Sequence, residues 1–427
     1  MTDRHGAAQP GAVETHTADE VPDRARHGGV RALFALGFGT HIAPLALVTG
    51  AMAVQVCHQP LWSGVLAVLV GQLLGGMCTA SRWASGPRPG GPRGLRSRAG
   101  FGSPGARPGV AVAAAVYIAF FAVHLVLAGW SLHALAPNLP VGAGILPVGT
   151  DVPPVATGIL LAAVGSALLC LTGRRLRRLL HKAAAVVLGL GSLAGLAVVV
   201  ARGLPSDFLT RGGFTFAGWC ALVSLSALWQ PALAPYAAGP ARSLSRPART
   251  AAFRATYGGS CLGSLLPFLA GAVVAPACPG PDSVAGCDAA AGAFAPVLPA
   301  LFLVIVLHHS ALNLYRAVRT TLTLGQPLRA RWAAGAVGAL VLACGPVLAL
   351  GLAGDFVPRF ADLTLVLLAV LVPWAVIHVV EAALLPARSR RRCDGGAVFS
   401  VREQAARILD PLRPLYPEDV RGFADTR

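Results

Sequence analysis

Residues 34–50 read FALGFGTHIAPLALVTG. The stretch is apolar enough for a bilayer, yet Gly37, Gly39 and Pro44 surround a single histidine, His41. Proline lacks a backbone N–H and glycine is entropically costly in a helix, so the helical ladder is interrupted here. At membrane depth, backbone groups freed in this way are tolerated only against protein or beside a water-filled cavity. Residues 227–240, ALWQPALAPYAAGP, repeat the pattern with Pro231 and Pro235.

Working outward, ten apolar segments are long enough to span. They lie at approximately 32–56, 61–80, 110–135, 154–173, 180–201, 214–238, 257–277, 291–315, 332–353 and 362–385. The two interrupted stretches are the first and the sixth. Interruptions at corresponding places in two halves are the sequence pointer to a transporter binding site. The predicted fold is therefore an all-α membrane protein of about ten transmembrane helices, with helices 1 and 6 broken.

Composition agrees. Of 427 residues, 55% are hydrophobic and 12% charged, and the mean hydropathy is +0.64. A soluble domain carries roughly a quarter charged residues. The net charge of +17 raises nucleic acid as a partner, but its arginines sit in short clusters between apolar blocks with almost no aromatic interleaving, which excludes that class. The clusters fall in alternate loops: 81–109, 174–182, 239–256, 316–331 and the RSRRR run at 388–392. The intervening loops hold only Arg202, Arg211 and Arg359. By the positive-inside rule this places both termini in the cytoplasm of a multi-pass cell-membrane protein, with the lipid bilayer as its first partner. Residues 1–30 read as a disordered cytoplasmic tail. Residues 31–385 form the transport core, and 386–427 a cytoplasmic C-tail in which SVREQAARIL (400–409) makes a short capped helix. Cys278 and Cys287 bracket a predicted outer loop and are spaced either to close a disulfide or to remain free thiols. The oligomeric state stays open.

The chain holds no GxSxG, HExxH or phosphate-binding loop, and no Cys/His spacing for a metal. Within the predicted spans Glu381 is the only carboxylate, with Asp151, Asp207, Asp355 and Asp362 in loops or at span edges. An enzyme is therefore not expected, nor is a bound cofactor. Polar residues inside spans carry more information, because ionisable groups there are costly. They are Thr40 and His41, Gln72, Tyr117 and His124, Trp229 and Gln230, His308, His309 and Asn313, and His378 with Glu381. Gln72 reads as interhelical glue, and Glu381 as a residue that snorkels or pairs with the RSRRR run.

Four markers, in order, resemble the nucleobase–cation symporter family, purine–cytosine permease branch. LRSRAGFGSPGARPG (95–109), followed by FFAVHLVLAGWSL (120–132), is similar to that family's SRAPFG motif and third helix. LAPYAAGPARSLS (233–245) and YGGSCLGSLLPFLAGAVVA (257–275) resemble its sixth and seventh. HHSALNLYRAVRTTLT (308–323) and VPWAVIHVVEAALLPARSRRR (372–392) resemble its eighth and tenth. The resemblance implies a LeuT-type fold of two inverted five-helix repeats, here 31–202 and 213–385, and a secondary active transporter for a nucleobase-like or other small heterocyclic solute. Carried over by position, the site comprises Gly39, Thr40, His41, Tyr117, Phe121, His124, Trp229, Gln230, His309 and Asn313.

The departures are specific. Gly239-Pro240 stands where the family has Asp-Tyr. Histidines occupy family asparagine positions at His41, His124 and His378, and the family's last two helices have no counterpart. Sodium sites of this fold use helix-one carbonyls and helix-eight hydroxyls. At that place the chain offers Leu307, His308, His309 and Ser310, with one hydroxyl and two rings that bind protons. A proton carried by His308 or His309 is thus the expected coupling ion. A non-transporting scaffold or sensor of the same fold is the alternative class, and a membrane-embedded enzyme the third.

Overall fold

The computed structural model describes residues 29–57, 59–84, 93–137, 155–172, 174–201, 209–210, 212–241, 249–277, 297–322, 331–367 and 369–370. All of them fall in Met1–Val376, the first of the two units into which the chain divides. The N-terminal tail through residue 28, the loop with Cys278 and Cys287, His378, Glu381 and the expected helix at 400–409 lie outside the described residues.

Every regular element among the described residues is a helix. In chain order they are α1 (Val30–His41), α2 (Pro44–Cys57), α3 (Leu61–Ala84), α4 (Arg93–Leu135), α5 (Ala156–Leu171), α6 (Arg174–Ala201), α7 (Phe216–Ala241), α8 (Arg249–Ala277), α9 (Val297–Leu322), α10 (Arg331–Ala353) and α11 (356–367). Among the described residues seven helices are long and apolar enough to cross a membrane, and eight if the bent pair α1–α2 is one span. The apolar α5 is shorter, at 16 residues, and α11 overlaps the tenth expected segment.

The first predicted break is present. α1 and α2 meet at a 51° bend. Pro44 has no N–H to offer the preceding turn and disfavours helical geometry at Ala43, so α1 stops at His41; the same proline suits the first position of α2. The second predicted break is not an interruption. α7 runs as one helix from Phe216 to Ala241, through Pro231 and Pro235. Each proline removes a single ladder bond, and neighbouring helices tolerate the freed groups when the site is buried in protein. α4 also begins earlier than expected. The Gly/Pro-rich 93–109 segment, read as loop, is its first part.

Packing sorts the helices into two groups. α1 and α2 lie along α8, α3 lies along α7 and α8, and these five form one bundle. α4 packs along α9, and both contact α5 and α10 to form the other. The pairings are matched: α1 meets α8 as α7 meets α3, and α4 meets α10 as α9 meets α5. That is the pattern two five-span halves produce. α6 runs along the seam, against α8 on one side and α9 on the other.

Small residues allow this closeness, as expected where apolar lipid gives helices no hydrophobic reason to associate. A Cβ on Gly271 would collide with the Leu47 carbonyl, and one on Gly50 with the Phe268 carbonyl, so α2 and α8 cross backbone to backbone. Large apolar side chains such as Leu190 and Val200 of α6 and Val347 of α10 point outward, where lipid receives them.

Candidate functional site

The site is built where the bend between α1 and α2 faces α4, α6, α7 and α9. A helix end leaves its last carbonyls without intrahelical partners. At the end of α1, His41 is fully buried, and its ring folds back so that Nδ1 lies 2.9 Å from the Gly37 carbonyl. Its Nε2 lies 3.4 Å from the Gln230 carbonyl of α7. Thr40 is buried beside it, and Gly39 presents its backbone to α6.

On α7, Trp229 is 2% exposed and stacks on Phe120 of α4, with ring centroids 5.3 Å apart and planes 17° from parallel. The Trp229 indole N–H is buried and has no hydrogen-bond partner. One turn along α4 from Phe120, His124 places Nδ1 2.6 Å from the Phe120 carbonyl, and its buried Nε2 has no partner. Asn313 of α9 donates to the His309 carbonyl at 2.9 Å, and its amide nitrogen is 3.4 Å from His124 Nδ1. His309 sets Nδ1 2.9 Å from the Ile305 carbonyl and stacks on His124 at 5.9 Å with planes 4° apart. Tyr117 is buried one turn before Phe120 and Phe121.

Three histidines thus spend Nδ1 on the carbonyl four residues back. That choice of tautomer leaves Nε2 of each as the nitrogen aimed away from its own helix. Buried polar atoms without partners are rare in native structures, and here they gather. Trp229 Nε1, Gln230 Oε1, His124 Nε2, His181 Nδ1 and His308 Nε2 all lie on the helices that meet at this place. The arrangement supplies aromatic faces with unspent donors and acceptors, and no carboxylate: α1 through α10 contain no Asp or Glu.

Two residues named from the sequence are placed elsewhere. Phe121 is fully buried against Gly345 of α10, so its ring fills the interface between α4 and α10. Phe120, one position earlier, takes the stacking role. Gln230 turns its amide to the bundle: Nε2 lies 2.6 Å from Gln72 Oε1, 2.7 Å from Ser264 Oγ and 3.2 Å from the Ser260 carbonyl. Gln72 in turn donates to the Ser226 carbonyl at 3.1 Å. This network joins α3, α7 and α8, and only Gln230 Oε1 is left open. Ser310 also faces away from the bend, with its hydroxyl 2.9 Å from that of Ser166 on α5.

One residue was missed. His181 of α6 brings its ring to 5.6 Å from His308 and 6.1 Å from His309, and His308 and His309 are 5.5 Å apart. With His124, four histidine rings form one connected group across α4, α6 and α9. Among the described residues no group of three or more His, Cys, Asp or Glu has the geometry to hold a metal ion.

Comparison with known proteins returns one family model, the permease for cytosine/purines, uracil, thiamine and allantoin, which matches residues 20–388. The chain is 27% identical over 379 residues to a putative purine-cytosine permease, YxlA, of Bacillus subtilis (strain 168), covering 86% of this chain and 79% of that one. Among solved structures it resembles the inward-facing conformation of Mhp1, with a TM-score of 0.69, 15% identity, and 89% and 81% of the two chains covered. Mhp1, a nucleobase-cation-symport-1 family transporter, in a closed conformation with bromovinylhydantoin bound, matches at a TM-score of 0.63 and 14% identity, covering 88% and 82%. At these identities the structural likeness fixes the fold alone, and that fold is the LeuT-type arrangement.

Proposed function

Because the chain belongs to the permease family for cytosine/purines, uracil, thiamine and allantoin, and is a multi-pass membrane transporter rather than an enzyme, we propose that it carries a flat heterocycle of the nucleobase type, with a proton as its coupling ion. The observation that carries the solute class is the Phe120–Trp229 stack, with the unpartnered Trp229 N–H and His124 Nε2 on the helices around it and Asn313, whose amide donates to the His309 carbonyl, beside them. A planar heterocycle needs a face to stack on and in-plane donors and acceptors at its edges, and these groups are of that kind. Gly39, Thr40 and His41 at the bend supply backbone groups freed from the helix. Tyr117 and His309 border the same region on α4 and α9.

Two observations support the proton. Ser310, the hydroxyl that stands where the fold places sodium ligands, is engaged with Ser166. Four histidine rings take up the neighbouring space. The arginine-rich alternate loops support an orientation with both termini in the cytoplasm.

The test is a thermal-shift screen of the purified full chain against cytosine, uracil, purines, allantoin, hydantoins and thiamine. At a ligand concentration of about 100 times Kd, binding stabilises by about 2.7 kcal/mol. One heterocycle is expected to raise the melting temperature of the wild type. Trp229→Ala is expected to weaken its binding by roughly 1–3 kcal/mol, the scale of one base–aromatic stack. A wild-type protein that responds to none of these compounds overturns the reading.

A further inference from the structure

We propose that His181 and His308 together bind one proton at the seam where α6 meets the end of α1, and that this shared site links the ion to the movement of the two helix groups. The inference rests on the proton-coupled reading above and names the site at which the coupling occurs.

The geometry is convergent. His181 lies in the first turns of α6, with its Nε2 turned to the backbone of Gly39 in the last turn of α1. Carbonyls in that turn lose their next-turn amide partners at the bend. With Nε2–H spent on α1, His181 Nδ1 is a lone pair, and it is buried with no partner. His308 of α9 offers a second buried nitrogen without a partner, Nε2, from a ring 5.6 Å away. With His308 carrying its own ring hydrogen on Nδ1, one added proton held as N–H···N between these two nitrogens would give both a partner. No other bond forms or breaks, and the site gains one positive charge.

The surroundings of the pair supply no countercharge. Ile42 of the bend, Ala184 and Leu188 of α6, and Ile305 of α9 form a separate apolar cluster. In sequence it lies on the opposite side of the pair from Arg316, so the two rings sit between an apolar floor and the basic end of α9. The charged and titratable groups acting on the pair are Arg316 and His309 of α9 and, beyond His309, His124 of α4. α1 and α8, which also pack on α6, bring Arg31, His41, Arg254 and Tyr257, and the sequence of α6 itself brings Arg174, Arg175, Arg177, Arg178 and Lys182; none is a carboxylate. The pair also joins three elements that belong to different parts of the fold: α1 to the bundle, α9 to the second group, α6 to the seam. A proton held there ties the groups together, and its loss unties them.

The experiment needs no solute. ¹⁵N-histidine NMR of the full chain in lipid nanodiscs follows the ring nitrogens from about pH 4 to about pH 9, a window that brackets the unperturbed imidazole. In the wild type, His181 and His308 are expected to titrate in one common step. In His181→Gln, the proton affinity of His308 is expected to change about tenfold or more, and in His308→Gln that of His181 likewise, as strongly coupled sites require. Separate wild-type titrations, or two rings that never take up a proton in this window, overturn the proposal. So does a ring indifferent to loss of the other. A heterocycle that binds in the thermal screen while the rings behave independently would leave the transporter reading standing and remove this one.

Discussion

At the residue scale, two adjacent phenylalanines pack against different partners. Phe120 stacks on Trp229, whereas Phe121 is fully buried against Gly345. Phe121→Ala is expected to destabilise the fold by about 3–5 kcal/mol, the usual cost of removing a buried ring. Phe120→Ala, which also removes a buried ring, is expected to cost stability on the same scale and in addition to weaken heterocycle binding. Ligand titrations of the two variants distinguish them; equal effects on binding would contradict the assignment. The sequence alone could not choose between them, because Tyr117 and His124 share a helical face with either. Gln230→Ala gives a second contrast. It leaves Gln72 and Ser264 short of a partner in a buried network, so a stability loss of roughly 1–3 kcal/mol is expected in thermal unfolding. His41, His124 and His309 were legible as ionisable residues in apolar segments. His181 was not, because it follows the basic run RRLRRLL and reads as the edge of a loop. Only the fold brings it beside His308.

At the element scale, the legible signals were those that act through the backbone. Pro44 with Gly37 and Gly39 announced the end of α1, and the bend lies there. Pro231 and Pro235 announced the same for α7, and the helix continues through them. The difference is local support: α7 is flanked by α3 and by the Gln72–Gln230–Ser264 network at the depth of Pro231, while the turn after His41 has lost its own ladder. The glycines of α8 make a further prediction. Gly271→Val places a branched side chain against the Leu47 carbonyl, so α2 and α8 must separate. Because backbone cannot retreat as a flexible side chain does, the loss should exceed the 1–3 kcal/mol typical of overpacking. A folded, solute-binding Gly271→Val protein, judged by gel filtration and melting, would contradict the backbone-to-backbone crossing.

At the scale of the whole molecule, span order and polar pattern were enough to place the chain among carriers, because a bilayer restricts the admissible folds to few. What lay beyond the sequence was which helix meets which: the five-helix bundle, the group around α4 and α9, and α6 on the seam between them. That division gives the histidine group its meaning, since the rings lie where the two groups meet. The most direct measurement is uptake of the heterocycle found by thermal shift, into vesicles containing the full chain, at about pH 5.5 and about pH 7.5, with and without sodium, a range across which an ordinary imidazole changes charge. The account predicts accumulation driven by an inward proton gradient, unchanged by sodium and lost when the gradient is collapsed. Accumulation that requires sodium and ignores pH would contradict it.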